Sequence, residues 1–344
     1  MEQYKDFILE QVKQLLAIDS PSGFADRAAE HLMEVYRGMG YEPVRTNKGG
    51  VLVNLGGKEP DAILTASHVD TLGAITAEIK DNGRLRISPI GSISANTVET
   101  ENCRIYTRFG KIYEGTCQLV NASTHVNGKI DQTLRNYQNV EIVLDEDVHS
   151  REDVKKLGID NGDFVCFDPV TRVTQSGYIK SRFLDDKLSA AILVGYAKYL
   201  KDTGKVPKRR VYQYFTVFEE IGHGASASIP QDVTEAISVD MGCVGEGIAC
   251  TEKEVSICAK DSGGPYNYAL TTELIKTAKD NEIPYAVDVY PYYSSDVEAT
   301  LKSGCDIRHG LIGPGVYASH GYERSHVDGM MNTFRLLCAY LDAR

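Results

Sequence analysis

Two helical patterns open the chain, and each of them ends at a turn signal. Between Tyr4 and Ile18 the apolar residues recur three and four positions apart, and the stretch Asp19-Ser-Pro-Ser-Gly follows them. A second pattern covers residues 25–39 and stops at Gly40. Apolar segments at 51–55 and 62–67 then predict two strands. Because helices and strands alternate, the pattern favours an α/β layer architecture.

After Asp70 the pattern changes, and it changes back near residue 173. Between these points the segments are short, rich in valine, isoleucine, threonine and tyrosine, and separated by glycine, with one predicted helix at 151–157. Beyond them, helices are predicted at 185–200, 268–281 and 330–344, and strands at 210–218, 236–239 and 286–289. We therefore predict a discontinuous α/β domain of residues 1–71 and 174–344, interrupted by an inserted β-rich domain of residues 72–173.

Hydropathy and charge restrict the compartment in which the protein resides and the partners that it binds. The longest nearly uninterrupted apolar run, residues 188–197, is far below the ~18 residues that suggest a membrane span. A formal net charge of −11 argues against nucleic acid and against an anionic membrane surface as partners. The N-terminal segment lacks the apolar core of a secretion signal, and the eight cysteines form no Cys-x-x-Cys pair. These features predict a cytoplasmic protein with reduced thiols.

Polar residues follow several of the predicted strands directly. His68 and Asp70 come after the strand at 62–67, and on an extended chain their side chains share one face. Asp240 ends the strand at 236–239. Open α/β sheets place their ligands at such strand ends, but each of these residues taken alone is also compatible with a turn or a solvent-facing position.

Further carboxylates and a second histidine extend this set. Two adjacent glutamates, Glu219 and Glu220, follow the strand at 210–218, and Asp185 begins a predicted helix, where it could also serve as an N-terminal cap. His320 lies in a glycine-containing loop. Nitrogen and oxygen ligands without thiolate suit Zn²⁺, Co²⁺ or Mn²⁺. Five such ligands, with one bridging aspartate, would give each of two metals three protein ligands.

In this order, the motifs resemble those of the dinuclear metallo-aminopeptidases. They are His68-x-Asp70, Leu184-Asp-Asp-Lys187, Phe218-Glu-Glu-Ile-Gly222, Val239-Asp-Met-Gly242 and the late His320. The branch that they resemble includes glutamyl aminopeptidases and the self-compartmentalising tetrahedral aminopeptidases, and the resemblance spans nearly the whole chain. It implies a central mixed sheet flanked by helices, of the zinc-peptidase type. It also implies that the inserted unit is a small β-barrel-like dimerisation domain, and that the protein is a homo-oligomer, from a dimer up to a dodecamer.

The resemblance implies a set of metal ligands and a cofactor. The implied ligands are His68, Asp185, Glu220, Asp240 and His320. His68 and Asp240 would bind one metal, Glu220 and His320 would bind the other, and Asp185 would bridge them. The cofactor would be two divalent ions per subunit, with Zn²⁺ or Co²⁺ expected and Mn²⁺ also compatible with these donors.

The same resemblance implies roles for the neighbouring acids, and the chain departs from the family pattern at two places. Asp70 would orient its neighbours, Asp186 would lie behind the ligands, and Glu219 would be the general base. Thr71 stands where the family usually has glutamate. The family commonly reads His-Ser-Pro at the last ligand, whereas this chain reads His-Gly-Tyr-Glu-Arg-Ser-His, so His326 remains a rival to the earlier histidine.

Three functions remain open on the sequence. The first is an aminopeptidase that uses a metal-activated water and acts on peptides with a free N-terminus. The second is a glycosidase, since paired carboxylates alone also suit glycoside hydrolysis. The third is a non-catalytic protein with a degenerate metal site, which the departures at Thr71 and around His320 leave open.

Overall fold

A computed structural model of the protein describes residues 1–343 and divides them into two compact units. The first unit contains Met1–Asp70 and the chain from Val170 onward, and the second contains Thr71–Pro169. The sequence pattern predicts the boundaries of the insertion at residues 72 and 173. None of the helices among the described residues is both long enough and apolar enough to cross a membrane.

The helices follow the predicted positions closely. They are α1 (Lys5–Leu16), α2 (Asp26–Gly38), α3 (Ala95–Val98), α4 (Arg151–Leu157), α5 (Leu184–Thr203), α6 (Tyr268–Asp280), α7 (Asp296–Lys302) and α8 (Val327–Asp342). The closing helix begins three residues before its predicted start at 330, and the predicted last residue, Arg344, lies outside the described part of the chain. The short helices α3 and α7 were not predicted.

The strands are more numerous than the sequence pattern predicts. They are β1 (Val44–Arg45), β2 (Val51–Gly56), β3 (Glu59–His68), β4 (Gly73–Ile79), β5 (Leu85–Ile90), β6 (Asn102–Tyr106), β7 (Ile112–Leu119), β8 (Val140–Leu144), β9 (Phe164–Phe167), β10 (Arg172–Val173), β11 (Tyr178–Ser181), β12 (Arg209–Thr216), β13 (Val233–Val239), β14 (Gly242–Val244), β15 (Val255–Asp261), β16 (Gly264–Pro265), β17 (Tyr285–Val289), β18 (Arg308–Tyr317) and β19 (Glu323–His326).

The first unit is built on one mixed sheet. Its strand order is β1-β2-β12-β3-β13-β18-β19-β11-β10. β14 and β15 also pair with β18, and β16 and β17 pair with β15. The central strands β12, β3, β13 and β18 are parallel to their neighbours in this run, whereas β2 and β19 pair antiparallel. β3 is buried continuously from Ala62 to His68, as expected of a parallel strand that is covered on both faces.

The second unit is a closed barrel of antiparallel strands in the order β4-β5-β8-β7-β6-β9. Buried residues alternate with partly exposed ones along β6 and β7, which is the pattern of strands with one face in a core and one face outward. Together, the mixed sheet with its helices and the closed barrel confirm the predicted fold class.

Helix α5 is the buried helix of the first unit. Its residues from Leu184 to Ala197 are buried on all sides, which is typical of a helix inside a core rather than at a surface. Helix α1 packs directly against it, because a side chain at Gly195 would lie only 2.5 Å from Ile8 Cγ1. Asp185, near the start of α5, is thereby anchored to the core of the unit.

The sequence pattern predicts no strand at 308–317, where Gly313-Pro-Gly315 interrupts the apolar residues, but β18 lies there. In the structure these residues are part of the strand, and the glycines allow close approach of other backbone segments. A side-chain atom at Gly313 would lie 1.5 Å from the carbonyl oxygen of Asp240, and one at Gly315 would lie 2.1 Å from that of Thr251. The glycines therefore serve packing and do not mark a turn.

Candidate metal centre

The candidate site lies where three neighbouring parallel strands end. β12, β3 and β13 are adjacent and parallel, so their carboxyl ends meet at one edge of the sheet. His68 is the last residue of β3, Asp240 follows the end of β13, and Glu220 lies in the turn after β12. Asp185 at the start of α5 and His320 in the turn after β18 reach the same edge.

Two groups of three side chains there could each hold a cation. The ligand atoms of His68, Asp185 and Asp240 lie within 4.8 Å of one another. The same limit holds for Asp185, Glu220 and His320. Asp185 belongs to both groups, and its two oxygens face different histidines. Oδ1 is 3.1 Å from His68 Nε2, and Oδ2 is 3.4 Å from His320 Nε2.

Asp70 fixes the orientation of the first histidine. The Nδ1 atom of His68 lies 3.0 Å from the backbone carbonyl oxygen of Asp70 and 3.5 Å from its Oδ1 atom. The other ring nitrogen, Nε2, is left to face Asp185. A ligating histidine usually needs an acceptor on its second nitrogen, and Asp70 supplies that acceptor.

The two adjacent glutamates are held by a turn and not by a strand. The sequence predicts a strand up to residue 218 that delivers them to the sheet edge, but β12 ends at Thr216 and a 3₁₀ helix covers Glu219–Ile221. The backbone N–H groups of Glu219 and Glu220 donate to Oδ1 and Oδ2 of Asp70, at 3.2 and 3.3 Å. The carboxylate of Asp70 therefore fixes the turn that carries both glutamates.

The side chains of the two glutamates diverge from this turn. Glu219 Oε2 lies 3.7 Å from His68 Nε2, and Glu220 Oε2 lies 3.6 Å from His320 Nε2. The turn ends at Gly222, whose φ of +86° is a left-handed conformation that favours glycine. The sequence predicts that the two side chains diverge because they follow a pleated strand, but in the structure they diverge from the turn.

Burial and mutual repulsion govern the charge state of the acids. Burial raises the pKa of Glu219, Glu220 and Asp240, to about 7 for Asp240, and the negative charge of Asp185 adds to each rise. Burial also opposes ionisation of Asp185, but its hydrogen bonds with the two histidines outweigh burial and hold its pKa below the usual value. So many buried carboxylates ionise together only if positive charge is brought among them.

The donor set fits divalent cations. Glu220 Oε1 is buried and has no hydrogen-bond partner among residues 1–343. An orphaned carboxylate oxygen is costly unless a cation or a proton satisfies it. Imidazole nitrogen and carboxylate oxygen without thiolate suit Zn²⁺, Co²⁺ and Mn²⁺. The five predicted ligands could therefore hold two such ions, with Asp185 shared between them.

The rival histidine, His326, lies elsewhere, and so does His223, to which the sequence assigns no role. His326 Nε2 is 2.7 Å from the carbonyl oxygen of Ser176, and its Nδ1 accepts the N–H of Asp328 at the start of α8. His223 stacks on the ring of Phe218, with centroids 5.3 Å apart. Within the described part of the chain, these two histidines do not join either group of candidate ligands.

Two buried residues outside the predicted set also support the site. Ser22 Oγ donates to Asp70 Oδ2. Asp296, at the start of α7, accepts from Thr216 Oγ1 and from the N–H of Ala225, and burial raises its pKa to about 6. The sequence signal for Ser22 was the Ser-Pro-Ser-Gly stretch before α2, whereas Asp296 follows a polar loop and carries no signal of its own.

Asp186 and Thr71 complete the set of positions singled out in the sequence. Asp186 is fully buried, and its Oδ2 accepts the hydroxyl of Ser67 at 2.5 Å. Asp186 therefore belongs to neither group of candidate ligands and is hydrogen-bonded to β3. Thr71 Oγ1 donates to the backbone carbonyl of Leu72 at 3.0 Å.

Comparisons with known proteins find a family model, a curated relative and solved structures that are similar to this chain. A family model described as M42 glutamyl aminopeptidase matches residues 49–336. The candidate aminopeptidase YhfE of Bacillus subtilis is 43% identical over 337 residues, which are 97% of each chain. Among solved structures, the aminopeptidase APDkam598 of Desulfurococcus kamchatkensis has a TM-score of 0.88 at 22% identity, covering 99% of this chain and 96% of that one. The TET1 peptidase of Pyrococcus horikoshii, which can assemble into a tetrahedron or a large octahedral shell, has a TM-score of 0.84 at 21% identity and covers 97% and 99%.

Proposed function

The chain belongs to the M42 glutamyl aminopeptidase family, and from this premise we propose that it removes the N-terminal residue of peptides at a two-metal centre. The observation that carries the proposal is the shared aspartate. Each oxygen of Asp185 faces a different histidine, and each histidine belongs to a separate group of three candidate ligands. Such sharing is what two ions held side by side require.

His68, Asp185 and Asp240 would hold one ion, and Asp185, Glu220 and His320 would hold the other. Bound there, divalent cations lower the pKa of water and stabilise the charge that develops on a peptide carbonyl oxygen. Zn²⁺, Co²⁺ and Mn²⁺ all accept these donors, and the site favours none of them by its ligand types.

Glu219 would be the group that moves the proton. It is the member of the glutamate pair that belongs to neither group of ligands, and its carboxylate lies beside His68 at 3.7 Å. Its backbone is fixed by Asp70, so the side chain starts from a rigid turn. In this position Glu219 would take a proton from the attacking water and pass it to the nitrogen of the departing peptide.

The substrate would be a peptide with a free α-amine. The cluster carries several carboxylates near the point of reaction, and these attract a positively charged amino group more strongly than a blocked, neutral one. Glycoside hydrolysis, the competing reaction for paired carboxylates, would leave both histidines without a role.

The experiment that tests the mechanism compares Glu219→Gln with Glu220→Gln. We expect Glu219→Gln to retain its metal content while kcat falls by at least ~10²-fold, the usual contribution of a positioned acid–base group. We expect Glu220→Gln to lose metal from one of the two sites. Metal loss in the Glu219 variant together with full metal content in the Glu220 variant would reverse the two roles.

A second measurement separates the competing functions. A panel of aminoacyl and N-acetylated aminoacyl substrates is assayed before and after chelation and after Co²⁺ or Zn²⁺ is restored. We expect hydrolysis of the free-amine substrates alone, its loss on chelation and its recovery with metal. Glycosidase activity that survives chelation would contradict the proposal, and so would a metal-loaded protein without peptidase activity.

The inserted barrel would be the site of self-association, and the protein would be a homo-oligomer built from dimers. Large apolar side chains are exposed on this unit: Phe109, Ile112, Val120, Val126 and Leu134. We expect part of this apolar surface to be covered in the assembly, since such side chains are shielded from water when they lie in an interface. The tetrahedral and octahedral shells of the Pyrococcus horikoshii peptidase offer a precedent for larger assemblies in this fold.

Phe109 is the most informative position for testing this association. Its side chain is 93% exposed in the barrel, and Phe109→Lys would place a charge on that surface. We expect a smaller assembly in light scattering. The matched control is Tyr268→Lys, which changes an exposed aromatic residue of the other unit and leaves the assembly intact. A wild-type monomer, or an unchanged assembly in Phe109→Lys, would contradict the role of this surface.

A further inference from the structure

One buried glutamate links two of the candidate ligands through their backbones. Glu323 is the first residue of β19 and is 2% exposed. Its Oε2 atom accepts the backbone N–H of Asp185 at 3.1 Å, and its Oε1 atom accepts the backbone N–H of His320 at 3.0 Å. A single carboxylate therefore spans two segments that are far apart in the sequence.

The segment that contains His320 depends on such an anchor. His320 has a φ of +62° and Ala318 a φ of +59°, a left-handed conformation that residues other than glycine rarely adopt. The side chain of His320 is 34% exposed, so burial holds it only in part. The hydrogen bond from its backbone to Glu323 fixes the turn at the residue that carries the candidate ligand.

The segment before Asp185 has similar features. Phe183 also has a positive φ, +68°, between the end of β11 and the start of α5. β11 pairs antiparallel with β19, and Ser181 stands opposite Glu323 in that pairing. The two strands therefore bring both turns together, and the carboxylate of Glu323 accepts a backbone hydrogen bond from each of them.

We propose that Glu323 is a positioning residue that sets the bridging Asp185 and the last ligand, His320, at a fixed separation. Glu323 belongs to neither group of candidate ligands, and each of its oxygens accepts a backbone N–H of a residue that does. The proposal rests on the proposed two-metal function. Groups that hold metal ligands in place typically contribute 10–100-fold to metal affinity or activity.

Glu323→Gln tests this role with almost no change in shape. The glutamine keeps one acceptor oxygen, but its amide turns two donors toward a backbone N–H group, so one of the two hydrogen bonds is lost. The matched control is Asp288→Asn. Asp288 is another buried carboxylate of the same unit, 6% exposed, and it accepts the backbone N–H groups of Ala249 and Cys250 at 2.7 and 3.1 Å.

The readouts are Co²⁺ affinity of the metal-free protein by calorimetry, the visible spectrum of bound Co²⁺, and peptidase activity. We expect Glu323→Gln to weaken binding of one of the two ions by about 10–100-fold and to alter the Co²⁺ spectrum. The Asp288→Asn variant should bind both ions as the wild type does. Equal affinity and an unchanged spectrum in Glu323→Gln would overturn the proposal.

A second variant covers the case in which Glu323→Gln does not fold. Glu323→Asp keeps the charge but shortens the side chain by one methylene, so it reaches one backbone N–H group and not both. We expect the same ion to be weakened, and wild-type affinity in this variant would refute the role. Failure of the proposed function has a different signature, since a wild type that binds two ions without hydrolysing peptides would leave the positioning role intact.

Discussion

The replacement of Ser22 by alanine tests whether Asp70 controls the turn that carries the two glutamates. Ser22 is 5% exposed, and its hydroxyl donates to the same Asp70 oxygen, Oδ2, that accepts the N–H of Glu220. Alanine differs from serine only by the hydroxyl, so the variant removes one hydrogen bond to a carboxylate and opens almost no cavity. The carboxylate is then free to rotate away from the turn.

The expected magnitude follows from the charge of the acceptor. A hydrogen bond to a charged group contributes about 1.5–3 kcal/mol, compared with about 0.5–1.5 kcal/mol for a neutral pair. Since about 1.36 kcal/mol corresponds to a tenfold change in rate, full expression of this loss in the transition state lowers kcat/KM about 10- to 100-fold. We expect kcat to carry most of the change, because the loosened turn carries Glu219, the proposed general base.

The control is the neighbouring serine in the same turn. Ser20 is 1% exposed and donates to the backbone carbonyl of Val69 at 2.7 Å, so Ser20→Ala removes a buried hydrogen bond at the same strand end without touching a carboxylate. We expect urea unfolding to show a loss of about 1–3 kcal/mol in both variants and kinetics to show a loss only in Ser22→Ala. Wild-type kcat/KM in Ser22→Ala, or an equal loss in Ser20→Ala, would refute the reasoning.

Two further predictions concern the core and the metal. Gly195→Ala drives a methyl group into Ile8 and should lower the free energy of unfolding by about 1–3 kcal/mol in urea titrations. The control is Gly38→Ala in helix α2, where nothing lies within 4 Å of the added methyl group, and it should raise the free energy of unfolding by about 0.5–1 kcal/mol. A change of the same sign in both variants would contradict the packing of α1 on α5. Removal of metal by a chelator should lower the midpoint temperature of thermal unfolding, because the buried carboxylates then repel one another. Added Zn²⁺ or Co²⁺ should restore this temperature, and an unchanged midpoint would argue against ions at this cluster.

The sequence predicted those features that leave a local signal. His68 and Asp240 stand at the ends of apolar runs, and Asp185 begins a long apolar helix, so a strand or helix pattern pointed to each of them. The fold class followed from the alternation of helices and strands and from the change to short, β-rich segments after Asp70. The roles of these residues stay predictions until the variants above are measured.

Other features depend on contacts between distant segments, which no local pattern contains. Glu323 lies in a polar stretch that resembles a surface turn, and its importance comes from two backbone groups far away in the chain. No strand was predicted around Gly313, although it belongs to a central strand where another backbone passes closely. The strand before Glu219 was predicted to run to residue 218, yet it ends at Thr216, and two backbone hydrogen bonds to Asp70 hold a turn there instead.

The order of synthesis makes the first unit dependent on late parts of the chain. β3 ends at residue 68, but its two neighbours in the sheet, β12 and β13, are completed only at residues 216 and 239. At about 5–20 residues per second, a ribosome needs on the order of ten seconds to reach them. Meanwhile the barrel strands between residues 73 and 167 are already complete and can close among themselves. We expect the barrel to form first during translation, while the apolar strand β3 waits unpaired and is the segment most in need of a chaperone.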